Sequence, residues 1–552
     1  MSGSKKIPSN GVWAPFLGDQ GSIINGLDQL GLQGVPEATF QKLLHGLNNV
    51  TGRLRYYAFY CWLLDEYMAG IGGRYAAEGA STDPVLQKRF IRTGEFIMAM
   101  IGQHPDLLLT NIPGSTFAQN NWENSPEGPF DLSASIYNVN GGTEGSYWKY
   151  SSGAFGQYYL GSMRDMRLVQ LRSDDHDVFL RTIKDDDSTW VSGKELADAF
   201  ASSIGKQAAT KFLDAIRNES ISKATLDELK GVFRPDVIPP SSAEHDLLSR
   251  LICQSDDPLH SNEEEGSRLR ASTIELYISK FKETQDDSVE FWKEPYRRFT
   301  ALAYLQGADS HESEAWFGWY HYMFNELWQF ACGALLSALL RALATEWRGM
   351  VRKDEWIEKL ASDIEQSLEA SRVEVNGPLT LNGAIASHGE QKEWTYVAQI
   401  ANRTSSVSEV ALAAVELILT LIQRNQDSFD RLKGFDDNII HKAQESPIRK
   451  LEALKEEFGE RPIRFFLNHF LNRYIVLRHH QVAIRKMRGR SQSSQKFMFE
   501  SGWVRYLNPT EPTFMGPRLP NLGHFLEDLG LLSSIGQPTA SAESWMKQHL
   551  VS

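Results

Sequence analysis

The residues best placed to do chemistry lie in one run near the C-terminus. From Arg461 to Phe499 there is no Asp or Glu, while Arg461, Arg464, Arg473, Arg478, Arg485, Lys486, Arg488, Arg490 and Lys496 all carry positive charge. His469, His479 and His480 can add partial charge. The whole chain has a net charge of −13, so this is a local reversal of sign. Cations gathered in this way can neutralise phosphates and release counterions. At 100° per residue, Arg461, Arg464, Arg478, His479, Arg485, Lys486 and Arg490 fall within one arc of about 140° on a regular helix. The nucleic-acid contacts this predicts are Arg461, Arg464, Arg478, Arg485, Lys486, Arg488 and Arg490. The competing reading pairs these cations with acidic neighbours such as Glu452, Glu456 and Glu457.

Three other groupings could carry chemistry. Arg53 and Arg55 stand among Tyr56, Tyr57 and Tyr60. Arginine beside aromatics can grip single-stranded bases, but it more often forms an internal ion pair. His311, Glu312, Glu314, His321 and Glu326 are metal-capable residues whose spacing fits no ligand pattern. Glu390, followed by Lys392 and Trp394-Thr395-Tyr396-Val397, has the look of half a nuclease site. Such a site needs a strand and a second carboxylate, for which Asp363 is the upstream candidate. The chain has no GxxxxGK[ST], no GxGxxG after a strand, no GxSxG and no CxxC. No cofactor and no metal are expected.

The elements that must position these residues read as mostly α-helical. With 552 residues, 41% hydrophobic and 23% charged, the chain has material for several cores. Cys61, Cys253 and Cys332 are far apart, which fits reduced thiols and a cytoplasmic location. The apolar stretch Leu327 to Leu340 is shorter than the ~20 residues a membrane span needs, so it predicts a core helix and no membrane partner. Thr51 is a candidate cap for a helix running to Ala69, and Asp83-Pro84 opens a second helix. Residues 106–153 read as a long irregular connection. A helix from Ala154 to Met166, strands at 168–171 and 178–183, and a helix capped by Ser192 form one winged-helix-like module. A single helix over 462–488, a hairpin at Phe497–Glu500 and Trp503–Tyr506, and a helix over 521–532 form a second. The expected domains are 1–150 (helical, with an irregular loop), 151–240 (winged-helix-like), 268–460 (helical) and 461–552 (basic helix plus hairpin).

Thr51-Gly52-Arg53-Leu54-Arg55-Tyr56-Tyr57, leading into Phe59-Tyr60-Cys61-Trp62-Leu63, resembles the opening of uncharacterised bacterial families encoded in phage-defence gene clusters. The run His479 to Lys486, with Pro517-Arg518-Leu519 and Asp528-Leu529-Gly530-Leu531, has a similar look. The resemblance spans about a third of the chain and supplies no functional residues. It implies an antiviral context with partner subunits. The reading that follows is a mostly α, multi-domain, non-catalytic subunit that binds DNA or assembles with other proteins of the system. A nuclease effector with an unrecognised carboxylate site and a pure protein scaffold are the alternatives.

Overall fold

The computed structural model describes residues 28–69, 83–135, 146–171, 178–185, 189–253, 261–308, 313–372, 378–387, 392–439, 446–487 and 493–550. The protein is mostly α-helical with little sheet. It divides into two discontinuous units. The first comprises Met1–Pro36 and His321–Met515; the second comprises Glu37–Tyr320 and Gly516–Ser552. Of the four segments expected from the sequence, 151–240 falls whole within the second unit. Segments 1–150, 268–460 and 461–552 are each divided between the two.

In the second unit the Arg55–Met68 helix is buried on nearly every side, as its ring of aromatics requires. Phe59 and Trp62 pack on Phe200 and Phe212, and Phe212 stacks on Phe233 with centroids 4.5 Å apart. Thr51 does not cap this helix. The Leu54 N–H instead donates to the carboxylate of Asp528, hundreds of residues away in sequence. Pro84–Gly102 does start as expected, with the Asp83 side chain accepting from the N–H groups of Val85 and Leu86. The stretch expected to be irregular contains a helix, Ser115–Asn124.

The first helix–hairpin–helix order is present. A π-helical turn, Phe155–Tyr159, leads into Leu160–Asp165, and strands Val169–Leu171 and Phe179–Arg181 pair antiparallel. The Gly193–Ile204 helix follows, with a capping box between Ser192 and Glu195.

In the first unit, the part of the Glu314–Thr345 helix from His321 onward is core. The Glu314–Thr345 helix is long and apolar enough to cross a membrane by composition, but its most apolar window is mostly buried inside the protein. Trp328 packs edge-on against Phe470, and the Trp356 indole donates to the Leu339 carbonyl. Val407–Asn425 is fixed at its start by a Ser406–Glu409 capping box. Phe497–Glu500 and Trp503–Tyr506 form the expected hairpin, and Ser501 and Gly502 supply the positive φ angles of its tight turn. Met350–Arg352 adds a third antiparallel strand to it, which the sequence did not signal. The helix that follows, Leu519–Asp528, belongs to the second unit. There Phe525 meets Tyr57 edge-on and Asp528 pairs with Arg53.

Candidate nucleic-acid interface

The basic run folds as a helix with a fault in it. Ile463–Phe470 and Leu477–Met487 are α-helical, and Leu471–Val476 between them is π-helical. A π segment bonds i to i+5 and turns less per residue, so cations before and after it lose their common arc. The shared face expected of a regular helix is therefore not the geometry adopted.

The expected contact residues separate accordingly. Before the fault, Arg464 is held by two carboxylates of the Lys353–Ala370 helix: its Nε is 2.7 Å from Glu365 Oε2 and its Nη1 is 2.8 Å from Glu358 Oε1. Its Nη2 also donates to Ser362 Oγ at 2.8 Å. The partners are Glu358 and Glu365, not the expected Glu452, Glu456 or Glu457. Arg461 is exposed and lies over the Phe458 ring, 5.4 Å from its centroid.

After the fault, the helix is stitched to the chain segment 28–31. Arg478 donates to the carbonyls of Leu30 and Gly31, and Lys486 donates to the carbonyl of Asp28. Gly31 has φ +65°, and a Cβ there would meet Val482 at 3.0 Å, so the close approach needs glycine. Arg485 remains exposed, as does Arg473. Arg488 and Arg490 lie outside the described residues.

His479 and His480 add little charge. His479 is fully buried; its Nδ1 faces the Gln29 carbonyl at 3.0 Å, and its Nε2 accepts from the Lys496 N–H at 3.0 Å. That arrangement fixes the neutral tautomer with the proton on Nδ1. Burial depresses its pKa to about 4, so it is uncharged at neutral pH. Desolvation also lowers His480 and Lys496. Lys496 is 2% exposed and cannot meet an external phosphate without the fold opening.

The remaining groupings have structural roles. Arg55 is 2% exposed, and its Nε is 2.8 Å from Glu244 Oε1. It also donates to the carbonyls of Val232 and Arg234, and it lies over the Phe200 ring. No base can stack on it. Arg53 pairs with Asp528 at 2.8 Å. His321 Nε2 is 2.8 Å from Asp436 Oδ1, Asp436 accepts from Ser446, and Glu326 accepts from the Met515 N–H at 2.6 Å. The serine thus bonds the carboxylate rather than the imidazole, which is a buried clamp and not a nucleophile–base pair. His311 and Glu312 lie outside the described residues, as does Glu390. Trp394 to Val397 sits on the helix Glu393–Ala401, so the strand a nuclease site requires is not formed there. Asp363 pairs with Lys359 one turn away.

Among the described residues, one cluster has metal-capable geometry: His104, Asp106 and Asp227. Lys230 binds both carboxylates and Lys223 binds Asp227. Hydrogen bonds from Lys223 and Lys230 hold Asp227 well below the usual carboxylate range. The His104 nitrogens are engaged by Asp227 and by the Asp106 N–H. The ammonium groups take the part a cation would play.

Comparison with known protein families, curated proteins and solved structures finds no match to the chain.

Proposed function

We propose that the chain is a non-catalytic, DNA-engaging assembly subunit of a bacterial antiphage system, in which a helix backed by the Phe497–Tyr506 hairpin presents the cations. The antiviral context rests on the resemblance of the Arg53–Leu63 and His479–Lys486 segments. The observation that carries the DNA contact is the exposure of Arg473 and Arg485 on an acid-free helix whose neighbours Arg478 and Lys486 anchor it. The anchored cations supply rigidity, and the exposed ones supply phosphate contacts that position without reading bases.

The footprint is small. Arg461, Arg473 and Arg485, the exposed arginines of the run among the described residues, would neutralise three phosphates, so log K falls against log salt with a slope of about −3. Contributions from Arg488 and Arg490 would steepen it to about −4.5. Duplex and single-stranded binding measured between 50 and 200 mM salt, on the order of the range where such slopes are resolved, tests this. A slope near zero, or no binding at low salt, overturns the proposal.

A second reading, a protein scaffold, is favoured by the apolar side chains on the same elements. Phe465 is 59% exposed, Ile484 45% and Trp503 41%. It predicts salt-insensitive association with a protein partner.

A further inference from the structure

The second unit contains a cavity of about 450 Å³ that no part of the proposed function uses. Its walls are the turn 49–52, the loop 111–117, Tyr147 with Trp148, Tyr158 and Asn521. Each wall is tied in place. Asn48 accepts from the N–H groups of Val50 and Thr51 through Oδ1, and its Nδ2 donates to the Tyr158 carbonyl at 2.5 Å. The Tyr147 hydroxyl donates to the Pro113 carbonyl at 3.2 Å. Gly114 has φ +74°, and a Cβ there would run into the Tyr147 ring, so this close approach needs glycine. A site held in this way is formed before its ligand arrives.

Among the described residues, none that lines the cavity carries a charge. The lining offers aromatic rings beside uncommitted amides and hydroxyls. Trp148 and Tyr158 are half-buried, with ring centroids 5.4 Å apart at 88°, so they form a corner and not a slot. The Trp148 indole N–H is spent on Gln157 Oε1 at 2.8 Å, which leaves the ring for apolar contact. The Nδ2 groups of Asn111 and Asn521 are spent on His524 and on the Thr51 carbonyl. Each of these amides keeps an Oδ1 acceptor with no partner among the described residues. The side chains of Asn49, Ser115 and Thr116 have no partner there either, and Asn49, Asn111 and Thr116 are exposed to solvent.

These features select a ligand. A lining without charge offers neither a counterion to a phosphate or carboxylate nor one to an amine. Spare acceptors beside hydroxyls call for a ligand rich in O–H groups, which both donate and accept. A flat base is gripped between parallel rings, which a perpendicular pair does not supply. A sugar ring has an apolar C–H face that lies against an aromatic face, and a rim of hydroxyls left for the amides.

We propose that this cavity binds a neutral pyranose sugar, its C–H face on the Trp148–Tyr158 corner and its hydroxyls on Asn49, Asn111 and Asn521. The volume is within the range of small-molecule sites. The inference stands apart from the nucleic-acid reading, because the site lies within the second unit and uses none of the arginines of the basic run.

Saturation-transfer NMR on the full-length chain tests it with glucose, galactose, mannose and N-acetylglucosamine, with adenosine and inorganic phosphate as competitors. At least one sugar is expected to receive saturation on its ring C–H protons, to the same extent at low and high salt. Trp148→Ala weakens that sugar about tenfold. Trp148→Phe keeps most of the affinity, and Asn111→Ala loses several-fold. The Ser115–Asn124 helix begins in the cavity wall, so phosphate tests for an anion held at its first N–H groups instead. Transfer to none of the four sugars, displacement of the sugar by phosphate, or adenosine binding as tightly as the sugar overturns the proposal. The competition uses only the wild-type chain, so it decides the matter even if a variant fails to fold.

Discussion

The helices Arg55–Met68 and Leu477–Met487 both set arginine among aromatic or histidine neighbours, yet they use it in opposite ways. Arg55 is buried and matched by a buried carboxylate, Glu244. Arg478 meets no carboxylate among the described contacts and is taken up by backbone carbonyls of segment 28–31. The first arrangement neutralises its charge inside the protein. The second leaves the positive charge in place and satisfies only its hydrogen bonds. A charge that is hydrogen-bonded but not neutralised still attracts an anion at its surface, which is why only the second helix is a candidate for polyanion contact.

The comparison is broken most directly at Arg55. Arg55→Leu leaves Glu244 buried without its partner and is expected to cost about 3–5 kcal/mol. Chemical denaturation of the second unit reads this, and a loss below about 1 kcal/mol would show that the pair is not closed to water.

The two units should also respond oppositely to pH. Burial raises Glu95 to about 7 against the N–H groups of Phe155 and Ala154, and it raises Asp528 to about 7 despite Arg53. A raised carboxyl favours the folded state when protonated. This stabilisation is complete below pH ~4 and is lost as pH rises toward 7. In the first unit, burial depresses His479 from 6.5 to about 4. Its contribution is complete above pH 6.5 and is lost as pH falls to about 4. Each effect is on the order of 3 kcal/mol. Hydrogen exchange followed from pH 4 to 8, about the window these shifts span, should show the second unit weakening with rising pH and the first strengthening. Glu95→Gln and His479→Gln should each flatten one of the two trends.

Smaller effects sharpen the contrast within the basic helix. Arg478→Ala removes charge-assisted bonds to two carbonyls and should cost about 1.5–3 kcal/mol, read by thermal melting. Arg464→Ala releases a partly exposed pair with Glu358 and Glu365 and should cost about 1 kcal/mol. Arg485→Ala should change stability by less than about 0.5 kcal/mol while reducing the salt slope of DNA binding by about 1. If Arg485→Ala melts the protein and leaves the slope unchanged, the division into anchoring and contacting cations is wrong.

Much of the local structure was legible because its causes are local. Asp83 before Pro84 and Ser192 three residues before Glu195 satisfy the first N–H groups of their own helices. Ser501-Gly502 between two apolar segments is a local hairpin signal, since both residues adopt the positive φ a tight turn needs. The burial of Leu327 to Leu340 was expected from a 14-residue apolar stretch interrupted by Gln329, but the helix that carries it is long and apolar enough to cross a membrane, and only the packing around it shows it as core. The Ser115–Asn124 helix was missed because its N-cap is Gly114 in a left-handed conformation, with no side-chain cap to announce it.

The candidate site was legible only as an excess of charge. Composition determined that residues 461–499 would be positive, and apolar patterning with cap residues pointed to a mostly helical fold. Which arginines keep that charge at the surface was decided by tertiary structure. Helix periodicity cannot foresee a π segment at Leu471–Val476, nor that residues 28–31 would return to claim Arg478 and Lys486. Charge is a property of a side chain alone, whereas its availability depends on what distant chain packs against it. The same reason hid the pairing of Arg53 with Asp528.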